Sequence, residues 1–244
     1  MRRWSESNSD HARVYNEIKA MVIDYRFRPG EQLRIGELAD RLRVSSTPIR
    51  EALIRLQAES LLDPVPRRGF FAKTLTSREM IDLYQFGFLI VKQTLERHFD
   101  AIDIATCDGL VSAHGATVAS DQAPDQPERP ARRYARYLEQ LYEKVVFLSR
   151  NEVMIATIRN FVDRTHYVRV IDLEVPRRYD NALHAISEIL AALEQRDVGR
   201  IIATLERELS LKIAIMPALV REGVSRAYTS VDAPPRTTAI ASTA

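Results

Sequence analysis

Apolar residues in the first quarter of the chain recur at helical spacing. Val14, Ile18, Met21 and Val22 fall at i, i+4, i+7 and i+8, which predicts one buried stripe on a helix that begins near His11 and stops before Pro29-Gly30. Residues 1–10 are polar and aperiodic, and disorder is expected there. Ile35, Leu38, Ala39 and Leu42 repeat at i, i+3, i+4 and i+7, a second and shorter helix. Arg43-Val44 leaves room only for a tight connection, because Ser45 is a good N-cap and Pro48 is tolerated in a first helical turn. The third helix turns Ile49, Ala52, Leu53 and Leu56 inward and displays Ser46, Thr47 and Arg50 on its other side. Two short extended segments follow, Leu61 to Pro66 and Phe70 to Lys73, around the basic turn Arg67-Arg68-Gly69, and together they read as a β-hairpin. Three helices and a basic hairpin are the layout of a winged helix-turn-helix, here over residues 11–75.

Beyond Leu75 the pattern is helical without strands. Thr76 or Ser77 can cap a helix whose apolar positions include Met80, Leu83, Tyr84, Phe86, Phe88, Leu89, Val91 and Leu95. Residues 103–119 form a weaker helical pattern holding Gly109 and Gly115, and the proline-rich stretch 122–130 reads as a loop. Long helical patterns occupy about 131–149, 152–170, 178–195 and 198–222. Residues 225–244 are polar and proline-containing, and a disordered tail is expected. The predicted fold class is mainly α, an N-terminal winged helix-turn-helix plus a C-terminal all-α helical bundle over 76–224.

Composition narrows the function. The 244 residues are 45% hydrophobic and 28% charged, which is ordinary globular composition. No apolar run reaches about 18 residues, so no membrane span is offered. A single cysteine, Cys107, excludes an intramolecular disulfide and a cysteine-based zinc cluster, and without a signal-peptide pattern the cytoplasm is the expected location. Charge is unevenly divided: residues 1–75 hold 14 Lys+Arg against 10 Asp+Glu, and residues 76–244 hold 21 against 23. A basic first third is what a chain shows when that part alone meets phosphate, although a solvated basic face gives the same excess.

Three stretches carry a resemblance. Pro29-Gly30-Glu31-Gln32-Leu33, then Glu37-Leu38-Ala39, then Val44-Ser45-Ser46-Thr47-Pro48-Ile49-Arg50-Glu51-Ala52-Leu53-Ile54-Arg55-Leu56 together resemble the DNA-binding domain of the GntR family of bacterial transcription regulators. The helical remainder is similar to the FadR-type branch, whose effector domain is called FCD. The physics agrees: a helix fits the major groove, and its exposed first turns bring hydroxyls and an arginine to phosphates and base edges. The candidate DNA contacts are Arg34, Ser45, Ser46, Thr47, Arg50, and Arg67, Arg68 and Gly69 at the wing tip. Arg50 can instead pair with Glu51 or Glu37, Thr47 can extend the cap, and Arg67-Arg68 can be a solvated turn. Family members often carry arginine where Ser46 and Gly36 stand here, so part of the usual base-reading set is missing.

The resemblance implies that many FCD domains hold a divalent metal through one aspartate and three histidines, and that the metal then holds a small carboxylate-bearing effector. Counting from Ser149-Arg150-Asn151 and from Asp197, the resemblance places those positions at Leu138, Tyr142, Ile186 and Glu208. No expected ligand stands at any of them, His184 is displaced by two residues to the other side of its helix, and His98, His114 and His166 show no ligand spacing. We therefore expect no metal and no cofactor. An Arg and a Glu common on the domain's first helix are replaced by Gly87 and Val91, an apolar lining that suits either a hydrophobic acyl-type effector or a buried helix. The remaining candidates for an effector pocket are Tyr142, Asn151, Arg159, Arg164 and Glu208.

These readings lead to an effector-responsive DNA-binding regulator, a homodimeric repressor on a pseudo-palindromic operator. Its partners are double-stranded DNA, a small-molecule effector and a second copy, with no membrane. An adaptor or dimerisation protein with degenerate DNA binding is the alternative. An enzyme is not expected, since no glycine-rich phosphate loop or nucleophile–base ordering is present.

Overall fold

A computed structural model describes residues 2–65, 67–102, 104–121 and 129–231. The chain divides into two compact units, one of residues 1–74 with 224–244 and one of residues 75–223.

The first unit holds α1 (Arg2–Ile23), β1 (Gln32–Leu33), α2 (Ile35–Leu42), α3 (Ser46–Ala58), β2 (Leu62–Val65) and β3 (Gly69–Ala72). Its core joins Val14, Ile18 and Val22 of α1 to Leu38 and Ala39 of α2 and to Ile49, Ala52, Leu53 and Leu56 of α3, the stripes that the periodicity predicts. Helix α1 starts at Arg2, not at His11: residues 2–10, expected to be disordered, are helical because no proline or glycine in residues 2–23 stops the helix. It closes with Tyr25 in the left-handed region (φ 51°), the Arg26 N–H donating to Met21 C=O and the Tyr25 N–H to Val22 C=O. Arg43 (φ 55°) ends α2 in the same way, which makes the tight connection to α3. The sheet is antiparallel in the order β1-β3-β2. Strand β1, which the sequence pattern does not reveal, has two residues, too few for an alternation to register.

The second unit is helical: α4 (Ser77–His98), a 3-10 turn (Phe99–Ala101), α5 (Ile104–Asp121), α6 (Pro130–Phe147), α7 (Glu152–Leu173), α8 (Pro176–Glu194) and most of α9 (Val198–Val231). Helix α7 is central, packing on α6, α4 and α8, and buries Ile155, Ile158, Phe161, Val162 and all of residues 168–173. Thr76 caps α4, its hydroxyl accepting the Glu79 N–H at 3.3 Å. Helix α9 runs on to Val231, so residues 225–231 are helical and not part of a disordered tail. Nothing in that polar stretch breaks a helix already propagating. The loop expected over 122–130 ends by 129, because Pro130 already opens α6; its residues 122–128, residues 232–244 of the expected tail and Pro66 lie outside the described residues. No helix among the described residues is long and apolar enough to cross a membrane.

Candidate functional site

In the first unit α2, the Arg43–Ser45 turn and α3 set out a continuous exposed edge. Ser45, Ser46, Thr47 and Arg50 are all exposed at the N-terminal end of α3, where unpaired backbone N–H groups and the helix dipole favour an anion. Ser45 has the extended backbone of an N-cap, but its side chain makes no capping bond. That differs from the expected cap. Arg50 has no ion pair among the described residues. The acids that can neutralise it are engaged elsewhere: Glu51 with His11 Nδ1 at 2.7 Å and Glu37 with Arg34 at 3.0 Å. Arg34 is thus a paired but exposed cation at the N-cap of α2. Ile54, 53% exposed, continues the Thr47–Arg50 face by one more turn, an apolar group that the sequence reading passed over.

The wing lies on β2 and β3. Arg68 N–H donates to Val65 C=O at 3.0 Å, Arg67 sits in the left-handed region (φ 64°), and Gly69 has φ 98°, where a side chain is strained. Arg67, Arg68 and Gly69 are all exposed. Gln32 of β1 holds this tip, its Nε2 donating to Arg68 C=O at 2.6 Å. Gln32 is a positioning residue with no sequence signal beyond its place in the motif.

The second unit contains a cavity of about 110 Å³. All four positions counted for the metal ligands, Leu138, Tyr142, Ile186 and Glu208, line it, as do Gly87 and Val91 of α4. Hydrocarbon at two of the four and no imidazole at any make a donor set that does not fit a divalent metal. His184 is exposed and pairs with Glu188 at 3.4 Å.

Of the five expected pocket residues, Tyr142 and Glu208 line the cavity and three do not. Asn151 caps α7, its Oδ1 accepting the N–H groups of Val153 and Met154 at 3.0 and 3.2 Å. Arg159 is drawn to Glu143 at 3.4 Å on the surface, and Arg164 is paired with Glu79 of α4. Each has a nearer partner than the cavity. Four charged residues absent from the sequence reading line it instead: Arg169, Asp172, Arg178 and Lys212. Asp172, almost fully enclosed, accepts from Arg178 Nε and Nη2 at 2.8 and 3.2 Å and from Lys212. Burial opposes its ionisation, yet Lys212 and Arg178 outweigh that and hold its carboxyl below the usual range. Burial pulls the Lys212 ammonium down, and the opposing pull of Asp172 is offset in part by Arg178 and Arg169. An arginine and an aspartate inside the apolar run Val168-Arg169-Val170-Ile171-Asp172-Leu173 are the signal that could have found them.

Comparison with known proteins places each of the two units in a described family. Residues 11–72 match the family described as bacterial regulatory proteins, gntR family, and residues 89–210 match the FCD domain. The Nta operon transcriptional regulator of Aminobacter aminovorans is 29% identical over 217 residues, covering 88% of this chain and 99% of the relative. The uncharacterized HTH-type transcriptional regulator YdhC of Bacillus subtilis (strain 168) is 23% identical over 187 residues, 77% of this chain and 82% of the relative. Among solved structures, E. coli McbR/YncC shares the fold with a TM-score of 0.68 at 18% identity, covering 86% of this chain and 97% of that one. The matched families and relatives are transcription regulators, not enzymes.

Proposed function

The chain belongs to the gntR family of bacterial regulatory proteins and carries an FCD domain, and from that premise we propose that it acts as a homodimeric repressor released or retained by a small-molecule effector. The observation that carries the DNA-contact assignment is the state of Arg50: exposed at the N-terminal end of α3, beside Ser46 and Thr47, with Glu51 and Glu37 both engaged elsewhere. A guanidinium so placed is available for a phosphate or a guanine edge. Ser45, Ser46, Thr47 and Arg34 serve as phosphate contacts, and Arg67 and Arg68 follow the backbone or minor groove with Gly69 allowing close approach. Two-fold symmetry presents two copies of α3 to a pseudo-palindromic operator, and occupancy of that operator blocks transcription in the cytoplasm. The effector enters the cavity of the second unit and acts on DNA affinity through linkage.

The test is DNA binding by fluorescence anisotropy, using the protein's own promoter region and a scrambled duplex across a salt series. Arg50→Ala is expected to weaken specific binding by about 1–3 kcal/mol, tenfold or more. The wild-type affinity is expected to fall steeply with salt. Specific binding untouched by Arg50→Ala overturns the assignment, and no binding even at low salt favours the adaptor reading.

A further inference from the structure

Hydrogen-bond donors outnumber acceptors in the cavity of the second unit. The Lys212 ammonium has three N–H groups and one carboxylate partner among the described residues, Asp172. Both Asp172 oxygens are taken, by Arg178 and Lys212. Arg169 is satisfied by Glu139 and by the Thr165 hydroxyl. Tyr84 also lines this cavity; the residue is only 7% exposed, and its enclosed hydroxyl has no partner in full bonding geometry, since the nearby Thr165 hydroxyl donates to Phe161 C=O at 2.7 Å. Glu208, the other carboxylate of the lining, is partly exposed and ion-paired with Arg207 at 3.6 Å. Buried donors left without acceptors are costly unless something fills them. The rest of the wall is hydrocarbon, including Val91, Leu138, Phe161, Ile186, Leu205 and Leu209.

We propose that the cavity takes a small apolar monocarboxylate whose anionic group is received directly by Lys212 and the Tyr84 hydroxyl, with no metal ion between. This rests on the reading of the second unit as an effector domain. The cation cluster does the work for which the metal positions, here Leu138, Tyr142, Ile186 and Glu208, lack the donors. Arg178 and Lys212 share the single carboxylate of Asp172, so the cluster is short of negative charge, and a ligand carboxylate supplies it. Volume sets the size of the apolar part. The cavity of about 110 Å³ is smaller than an engineered apolar cavity of about 150 Å³ that admits benzene. A short branched chain fits, whereas a carboxylated ring and a long acyl chain do not fit inside.

The experiment is calorimetric titration of the full chain, with a chelator in every buffer. 2-Methylpropanoate and 3-methylbutanoate are the anionic probes, and 2-methylpropanamide and 3-methylbutanamide their neutral counterparts. At least one anion is expected to bind about tenfold or more tighter than the neutral compounds, the scale of a charge-assisted hydrogen bond. The double variant Lys212→Met/Asp172→Asn, which leaves no buried carboxylate stranded, is expected to lose that preference. Tyr84→Phe, which keeps the ring and its packing, is expected to weaken anion binding several-fold. Equal binding of neutral and anionic probes overturns the proposal. So does binding only after zinc or nickel replaces the chelator, or no anion binding at millimolar concentration. DNA affinity measured on the same samples separates this from the broader reading. If an anion binds and DNA affinity does not move, the effector role falls and the ligand class stands. If DNA affinity responds only to a neutral or metal-borne compound, the effector role stands and the ligand class falls.

Discussion

Phe161 accounts for the glycine at position 87. A Cβ there would lie 2.9 Å from the Phe161 ring, which is held edge-on between Tyr84 (centroids 5.5 Å apart, 90°) and Tyr142 (5.9 Å, 76°). Helix α4 therefore meets α7 at a point where only hydrogen fits. Gly87→Ala is expected to destabilise the chain by about 1–3 kcal/mol through overpacking. It should also weaken binding of any ligand in the cavity that both residues line. Urea unfolding checks the first part, and an unchanged midpoint would mean that the ring gives way freely. The family resemblance marked Gly87 and Val91 as an apolar departure, and both do line the cavity. Tyr142 and Glu208 were legible because the resemblance supplies the family's ligand positions, and counting from a turn then fixes which side of a helix they occupy. Asn151, Arg159 and Arg164 lie off the cavity lining because register says nothing about which polar partner is nearest. Arg169 and Asp172 were hidden because a short apolar run around two charges reads as core.

At the scale of elements the informative feature is the turn between α6 and α7. Ser149 Oγ donates to Val146 C=O at 2.7 Å and accepts the Asn151 N–H at 3.1 Å, while Asn151 Oδ1 receives two N–H groups of the first turn of α7. Loss of an N-cap costs about 1 kcal/mol, so Asn151→Ala should lower stability by that amount and leave DNA affinity where it was. Asn151→Asp should be nearly neutral, since a carboxylate accepts the same bonds and suits the helix dipole. Thermal melts of the two variants decide it, and equal losses would sink the capping role. Helices were visible in the sequence wherever an apolar stripe repeats over several turns, and least so in α5, where Leu110 is the one buried residue among those whose side chains are described. Their ends were harder to place. Tyr25, Arg43 and Ser60 all take positive φ without being glycine, so the usual stop signal is missing from the text of the chain. Helix α9 passes its expected end for the converse reason, that polarity alone does not terminate a helix.

For the whole molecule, the charges buried in the second unit set how stability depends on pH. Asp172 faces Lys212 of α9 and Arg178 of α8, with Tyr84 of α4 close by; Glu139 of α6 faces His166 and Arg169 of α7. Burial resists ionisation of Glu139, but Arg169 and His166 outweigh it, and its carboxyl, like that of Asp172, lies below the ordinary value. A carboxyl with a depressed folded pKa binds fewer protons folded than unfolded across the interval between the two values. Stability from these pairs is therefore complete above the unfolded values, about 3.9 for Asp and 4.3 for Glu, and is lost as pH falls through the folded ones. Each tenfold difference in proton affinity between the folded and unfolded chain is worth about 1.4 kcal/mol. Protonation also leaves the enclosed Arg169 and Lys212 charges without their counterions, which adds to the loss. Urea midpoints of the wild type should hold steady from pH 7 to about 5 and drop steeply below about 4.5. The double variant Asp172→Asn/Lys212→Met, neutral as a pair, should start from a different midpoint but show a shallower fall, because one of the two titrating carboxylates is gone. An equally steep fall in that variant would place the acid sensitivity outside the Asp172 cluster and return the problem to Glu139 and its two partners.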